Sequence, residues 1–291
     1  MGQALAGASR EARALFEEVD DALGQNLARL MAEGPIEELT LTENAQPAIM
    51  ANAVATLRAA GLSLDKAAYV AGHSLGEYSA LCAAGSFDVA TAARLLKLRG
   101  RAMQAAVPVG NGAMAAILGL DIAAVQAIAD LAARGEVCTI ANDNDPGQVV
   151  VSGHAAAIER AIGLAEERGA KRALLLPVSA PFHCPLMAPA ADAMAEALAE
   201  TTLATPAVPL FANVTAEPVS EPEEIVRLLV EQVTGRVRWR ESVAAMHEAG
   251  VTRFVEFGGK VLAPMVRRIA PEAEARSIVS MEDIETLVKE L

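Results

Sequence analysis

Apolar positions recur every three to four residues over about 4–23, 24–33 and 45–60, which predicts three amphipathic helices at the start of the chain. The period then breaks. A short apolar run, Ala67-Ala68-Tyr69-Val70-Ala71, predicts a strand, and Gly72-His73-Ser74-Leu75-Gly76 turns it into a renewed helical period that stops at Gly85. A further helix over 89–106 ends before the breaker-rich Pro108-Val109-Gly110-Asn111-Gly112. Beyond it the rhythm alternates: strand 113–118, helix 122–134, strand 137–141, a turn over 143–147, strand 148–152, helix 155–168 and strand 172–178. Ala180-Pro181-Phe182-His183-Cys184-Pro185 then leads the chain back.

The β-α-β-β-α-β order is the ferredoxin-like pattern, so the chain reads as α/β: a large domain from 1–111 and 180–291, with a ferredoxin-like subdomain, 112–179, inserted whole. Its 291 residues, 53% of them hydrophobic, are enough for a sizeable core, and only 3% aromatic residues speaks against an all-β protein. A net charge of −13 argues against a nucleic-acid partner, which needs a basic surface. The three cysteines, Cys82, Cys138 and Cys184, form no CxxC pair, so neither a disulfide framework nor a metal site is expected, and no cofactor loop follows a strand. There is no uncharged apolar run of about 18 residues, and Arg10, Glu11 and Arg13 interrupt any signal-like core. The expected location is cytoplasmic, away from membranes.

Gly-x-Ser-x-Gly between a strand and a helix is a nucleophile elbow: the sharp turn exposes a hydroxyl, here that of Ser74. A serine at its ordinary pKa needs a base within hydrogen-bond reach. Of four histidines, His73 adjoins the serine and faces away from it, His154 fits a surface or helix-capping place, and His247 lies on an amphipathic helix. His183, between Pro181 and Pro185 in a rigid irregular loop, is the candidate base.

Several of these segments together resemble the malonyl-coenzyme A:acyl carrier protein transacylases of bacterial fatty-acid synthesis. Gly72-His73-Ser74-Leu75-Gly76-Glu77-Tyr78 is similar to the family's serine motif, Leu98-Arg99-Gly100 with Met103-Gln104 to its arginine helix, and Ala180-Pro181-Phe182-His183 to its histidine motif. Residues 146–153 and Phe211-Ala212-Asn213-Val214 also resemble family segments, in the same order. The resemblance implies an α/β-hydrolase-like large domain, Ser74 and His183 as catalytic residues, and malonyl-coenzyme A and acyl carrier protein as partners. It further implies Arg99 as the partner of the malonyl carboxylate, the Leu75 N–H as an oxyanion donor, Gln232 and Asn213 near His183 and the ligand, and Phe182 with Leu75 as a wall against branched acyl groups.

A family loop, Phe-Pro-Gly-Gln-Gly-Ser-Gln, would precede Met1-Gly2-Gln3 and bring a second oxyanion donor, so this sequence alone is expected to carry half an oxyanion hole. Two other functions stay open on the residues. One is a serine hydrolase or thioesterase with Asp121, Asp143 or Asp145 as its acid; the other is a catalytically weak carrier-binding protein.

Overall fold

The computed structural model describes residues 1–290. Its first part is helical: α1 (Gln3–Ala8), α2 (Arg10–Leu23), α3 (Leu27–Glu33), α4 (Ile36–Leu39) and α5 (Thr42–Ala60) precede the two-residue strand β1 (Val70–Ala71). Helices α6 (Gly76–Ala83) and α7 (Val89–Ala106) follow. The next segment runs β2 (Gly112–Leu118), α8 (Ile122–Ala133), β3 (Cys138–Asp145), β4 (Gln148–His154), α9 (Ala155–Glu167) and β5 (Arg172–Leu175). The chain closes with α10 (Ala188–Ala199), β6 (Leu210–Phe211), β7 (Pro218–Val219), α11 (Pro222–Thr234), α12 (Trp239–Glu248), β8 (Arg253–Phe257), α13 (Leu262–Ile269), β9 (Glu274–Ile278) and α14 (Met281–Glu290).

Several boundaries differ from the sequence expectation: the strand expected over 172–178 ends at Leu175, that over 67–71 keeps only Val70–Ala71, and three further differences have a clear physical cause. The single helix expected over 4–23 is broken at Ser9, whose backbone is extended and whose hydroxyl accepts from the Ala12 N–H, capping α2. At Gly24 the left-handed backbone ends α2, and Asn26 caps α3. Strand β3 runs four residues past 141, because Asn142 to Asp145 continue the ladder with β4 through two register shifts and leave only Pro146-Gly147 as the turn.

Strands β2 to β5 form one antiparallel sheet in the order β3-β4-β2-β5, with Ala115 paired to both Val151 and Leu175. Ala115, Ile117, Val149 and Val151 bury one face against Val125 and Ile128 of α8 and Ile158 and Ala161 of α9. In the remainder, β1 lies parallel to β6, and β8 parallel to β9. A second core joins α2, α5 and α7 through Leu15, Val19, Met50, Val54, Leu96 and Met103.

Two features set the site's position. Gly100 lets α7 touch the start of α5, since a Cβ there would lie 2.5 Å from the Glu43 Cα. The polar end of β3 is fastened to the rest of the chain: the Asp143 N–H donates to the Val237 carbonyl, and the Val237 N–H to the Ala141 carbonyl. The buried Asp143 and Asp145 carboxylates pair with Arg240 at 2.8 Å and Arg268 at 2.7 Å.

Candidate active site

The chain reverses between β1 and α6 with Ser74 in the left-handed region, at φ 54°, which a residue with a Cβ adopts only under constraint. Gly72 makes the turn possible, because a Cβ on it would lie 2.0 Å from the Gly76 carbonyl carbon and 2.6 Å from the Glu77 nitrogen. Gly76 is not under that restriction, since a Cβ there meets nothing within 4 Å. The two glycines of the motif are therefore unequal. Gly72→Ala is expected to cost about 3 kcal/mol, the upper part of the usual overpacking range, because backbone atoms have to give way. Gly76→Ala is expected to change the denaturation midpoint hardly at all, and equal midpoints for both variants in urea titrations would contradict this account.

The elbow is braced from beneath. Asn213 is fully buried; its Oδ1 accepts from the Ser74 N–H at 2.8 Å and its Nδ2 donates to the Gly72 carbonyl at 2.8 Å. Above it, the Ser74 hydroxyl lies 2.7 Å from Nε2 of His183. His183 Nδ1 lies 2.9 Å from the main-chain carbonyl of Gln232. A carbonyl only accepts, so Nδ1 carries the hydrogen and Nε2 is left as the lone-pair nitrogen facing the hydroxyl. The arrangement can take a proton from Ser74 without a third acid.

Arg99 comes from α7 and is 1% exposed. Nη1 donates to Gln46 Oε1 at 2.7 Å; Nη2 donates to Gln232 Oε1 at 2.8 Å and to the Ser74 hydroxyl at 3.2 Å. The guanidinium also lies over the Tyr78 ring, 5.9 Å from its centroid. Its hydrogen-bond partners are neutral, and no carboxylate lies within ion-pair distance of it among the described residues. Ser74, Leu75, Gln46, Arg99, Met103 and Phe182 line one cleft of about 360 Å³.

Burial, and then the Arg99 charge, push the His183 imidazole down to about 3. The group therefore stays neutral, and able to accept a proton, well below the ordinary histidine value. An unfolded histidine takes up its proton near pH 6.5, so this site's contribution to stability is complete above that pH and is lost as pH falls toward 3. The expected result for kcat/KM of Ser74 acylation is a flat profile from pH 7 to about 5. An acid limb with its midpoint near 6.5 would contradict the depressed base.

The structure gathers Ser74, Leu75, Phe182 and Arg99 around the cleft, with His183 2.7 Å from the Ser74 hydroxyl and held by the Gln232 carbonyl as expected, but it takes the side chains of two expected residues away from the ligand space. Gln232 and Asn213, anticipated at the ligand, do not line the cleft; both are fully buried beneath it, with their side chains committed to Arg99 and the elbow. His73 Nε2 lies 2.8 Å from Asn144 Oδ1, on the polar end of β3. His154 is the N-cap residue of α9, but its Nδ1 accepts from the Val137 N–H rather than from the helix. His247 is only half-buried, with Nδ1 3.0 Å from the Val251 carbonyl. The acids considered for a hydrolase are occupied: Asp121 caps α8, and Asp143 and Asp145 hold arginines.

Two residues of the site escaped the sequence reading. Gln46 supports Arg99, and Glu77 lies 1% exposed under the elbow. A glutamine beside Pro47 in an otherwise apolar helical run was the available signal for the first. For Glu77 the one signal was its place in the segment that resembles the serine motif, and its type gave no role, because an acidic residue in a first helical turn is ordinary on a surface.

Fold and site together describe an acyltransferase, and the comparisons agree. The family model for the acyl transferase domain matches residues 1–266. Malonyl CoA-acyl carrier protein transacylase of Bacillus subtilis is 42% identical over 296 residues, covering 100% of this chain and 92% of that protein. The crystal structure of an acyl-carrier-protein S-malonyltransferase from Bartonella henselae superposes with a TM-score of 0.97 at 52% identity, covering 100% of this chain and 94% of that one. A type II PKS acyl-carrier protein in complex with its malonyl-transacylase matches at a TM-score of 0.96 and 40% identity, covering 100% and 95%. This chain belongs to the malonyl CoA-acyl carrier protein transacylase family.

Proposed function

We propose that this protein moves a malonyl group from coenzyme A to the phosphopantetheine thiol of acyl carrier protein through an ester on Ser74. The observation that carries the reading is Arg99: a buried guanidinium, held by neutral amide oxygens and 3.2 Å from the Ser74 hydroxyl, is suited to a ligand that brings its own carboxylate.

As Ser74 Oγ bonds to the thioester carbon, its proton passes to His183 Nε2, and the carbonyl oxygen gains charge facing the Leu75 N–H. Leu75 is the N-cap of α6, where amides lack intrahelical partners and the helix dipole favours an anion. Collapse breaks the C–S bond, and His183 returns the proton to the departing sulfur. The carrier thiol then repeats the steps in reverse. A carboxylate on Arg99 offsets the charge that holds His183 down, so the base strengthens once a malonyl group is seated. Phe182 and Leu75 crowd the cleft against an α-branch, a preference of about 1–3 kcal/mol for one methyl group.

In the same reading the catalytic body is an α/β-hydrolase-like domain, 1–111 and 180–291, and the sheet of β2 to β5 with α8 and α9 is a ferredoxin-like subdomain, 112–179. A cytoplasmic place fits it, and no helix among the described residues is long and apolar enough to cross a membrane. The test is the fate of the acyl group when malonyl-coenzyme A and holo acyl carrier protein are supplied together. Malonyl thioester on the carrier is the expected product; free malonate in its place would favour the hydrolase.

A further inference from the structure

A fully buried glutamate is expensive to desolvate, and among the described residues no arginine or lysine makes ion-pair contact with Glu77 to offset it. What it has is two donors. Its Oε1 accepts from the Asn213 N–H at 2.5 Å, and its Oε2 accepts from the Gln232 side-chain nitrogen. That nitrogen's other hydrogen goes to the Ser74 carbonyl at 2.9 Å.

An amide is asymmetric: one end only donates and the other only accepts. With both hydrogens drawn toward Glu77 and Ser74, the oxygen of Gln232 has one way to face, and it meets Arg99 Nη2 at 2.8 Å. Turned over, the amide would set its oxygen against a carboxylate and a carbonyl and its NH₂ against a guanidinium. Gln46 repeats the logic on the other side, where Nε2 donates to Thr42 Oγ1 and leaves Oε1 for Arg99 Nη1. The main-chain carbonyl of the same Gln232 receives His183 Nδ1.

We infer that Glu77 is a positioning residue whose acceptor-only carboxylate fixes the Gln232 amide, and through it the place of the Arg99 guanidinium beside Ser74. It touches neither substrate nor reacting atoms. The inference deepens the malonyl reading and rests on it. Burial pushes the carboxyl up to about 8, while the Asn213 and Gln232 donors and the Arg99 charge oppose that shift, so the form whose two oxygens only accept, as both do here, prevails above about pH 8, the range in which the competition assay is run.

Two substitutions separate this role from packing. Glu77→Gln keeps the shape but brings a donor, so either the Gln232 amide or the Asn213 backbone now faces like against like. Glu77→Asp loses a methylene but still only accepts. The experiment measures malonyl against acetyl acylation of Ser74 in competition, by intact mass, on wild type and both variants. The expected result is that Glu77→Gln loses about tenfold or more of the malonyl preference, as for one lost hydrogen bond to a charged group, and that Glu77→Asp retains more of it. Equal loss of both acylations in Glu77→Gln, or a smaller loss of preference in it than in Glu77→Asp, would overturn the inference and mark Glu77 as packing.

If Glu77→Gln does not fold, Gln232→Ala in the same assay decides, since a preference unchanged without the amide also overturns it. A wild type that forms no malonyl adduct or shows no malonyl preference sinks the underlying reading as well. A wild-type preference that survives in Glu77→Gln sinks this inference alone.

Discussion

Replacing Arg99 with alanine is expected to lower malonyl acylation of Ser74 on the order of 10²–10³-fold, the loss that follows when one partner of a desolvated charge pair is removed. Acetyl acylation should change far less, because an acetyl group presents no carboxylate to pair. The variant should also fold. The wild-type guanidinium is buried without an ion-pair partner among the described residues, so its removal relieves a desolvation penalty while leaving the Gln46 and Gln232 oxygens short of one hydrogen bond each. A mixture of malonyl- and acetyl-coenzyme A scored by intact mass checks the ratio directly. Unchanged malonyl preference in a folded Arg99→Ala protein would remove Arg99 from the acyl site.

His183→Ala is expected to act on a different quantity. With Arg99 in place the acyl carboxylate is still held, so KM for malonyl-coenzyme A should move little, while kcat falls by about 10³-fold or more, as for loss of a general base that also serves as the acid. Both half-reactions should suffer, since the same imidazole takes the proton from Ser74 and returns it to sulfur. Rapid-quench measurement of coenzyme A release, and separately of discharge to the carrier, tests this. A variant impaired in discharge alone would mean that another group activates Ser74. His73, the neighbour of the serine, is a poor substitute because its Nε2 is engaged with Asn144.

The order of elements in the small sheet is legible in the sequence because Gly and Pro punctuation separates segments of period two from segments of period 3.6. The elbow is legible for the same reason: one tight turn joins a strand to a helix, and its chemistry is local. What was not legible depends on distant partners. Asp143, Asn144 and Asp145 read as part of a turn over 143–147; with Asn142 they become the buried end of β3 because Val237, His73, Arg240 and Arg268 meet them from 71 to 123 positions away. Gln46 and Glu77 are missed for a related reason. Their types are common on helix surfaces, and only the approach of α7 and α11 turns them inward toward Arg99 and Gln232. Gly72 and Gly76 carry equal weight in the motif, and the unequal space around them appears only in three dimensions. Residue types thus mark the nucleophile, the base and the cation, while the supports that aim them are a property of packing.

The most direct measurement is the intact mass of the purified protein after brief exposure to malonyl-coenzyme A, beside a Ser74→Ala control, followed by a chase with holo acyl carrier protein. The expected result is a single malonyl increment that is absent from the control and discharged by the carrier. An increment that persists in Ser74→Ala, or one lost to water as quickly without the carrier as with it, would contradict a Ser74 malonyl-enzyme on the path to the carrier thiol.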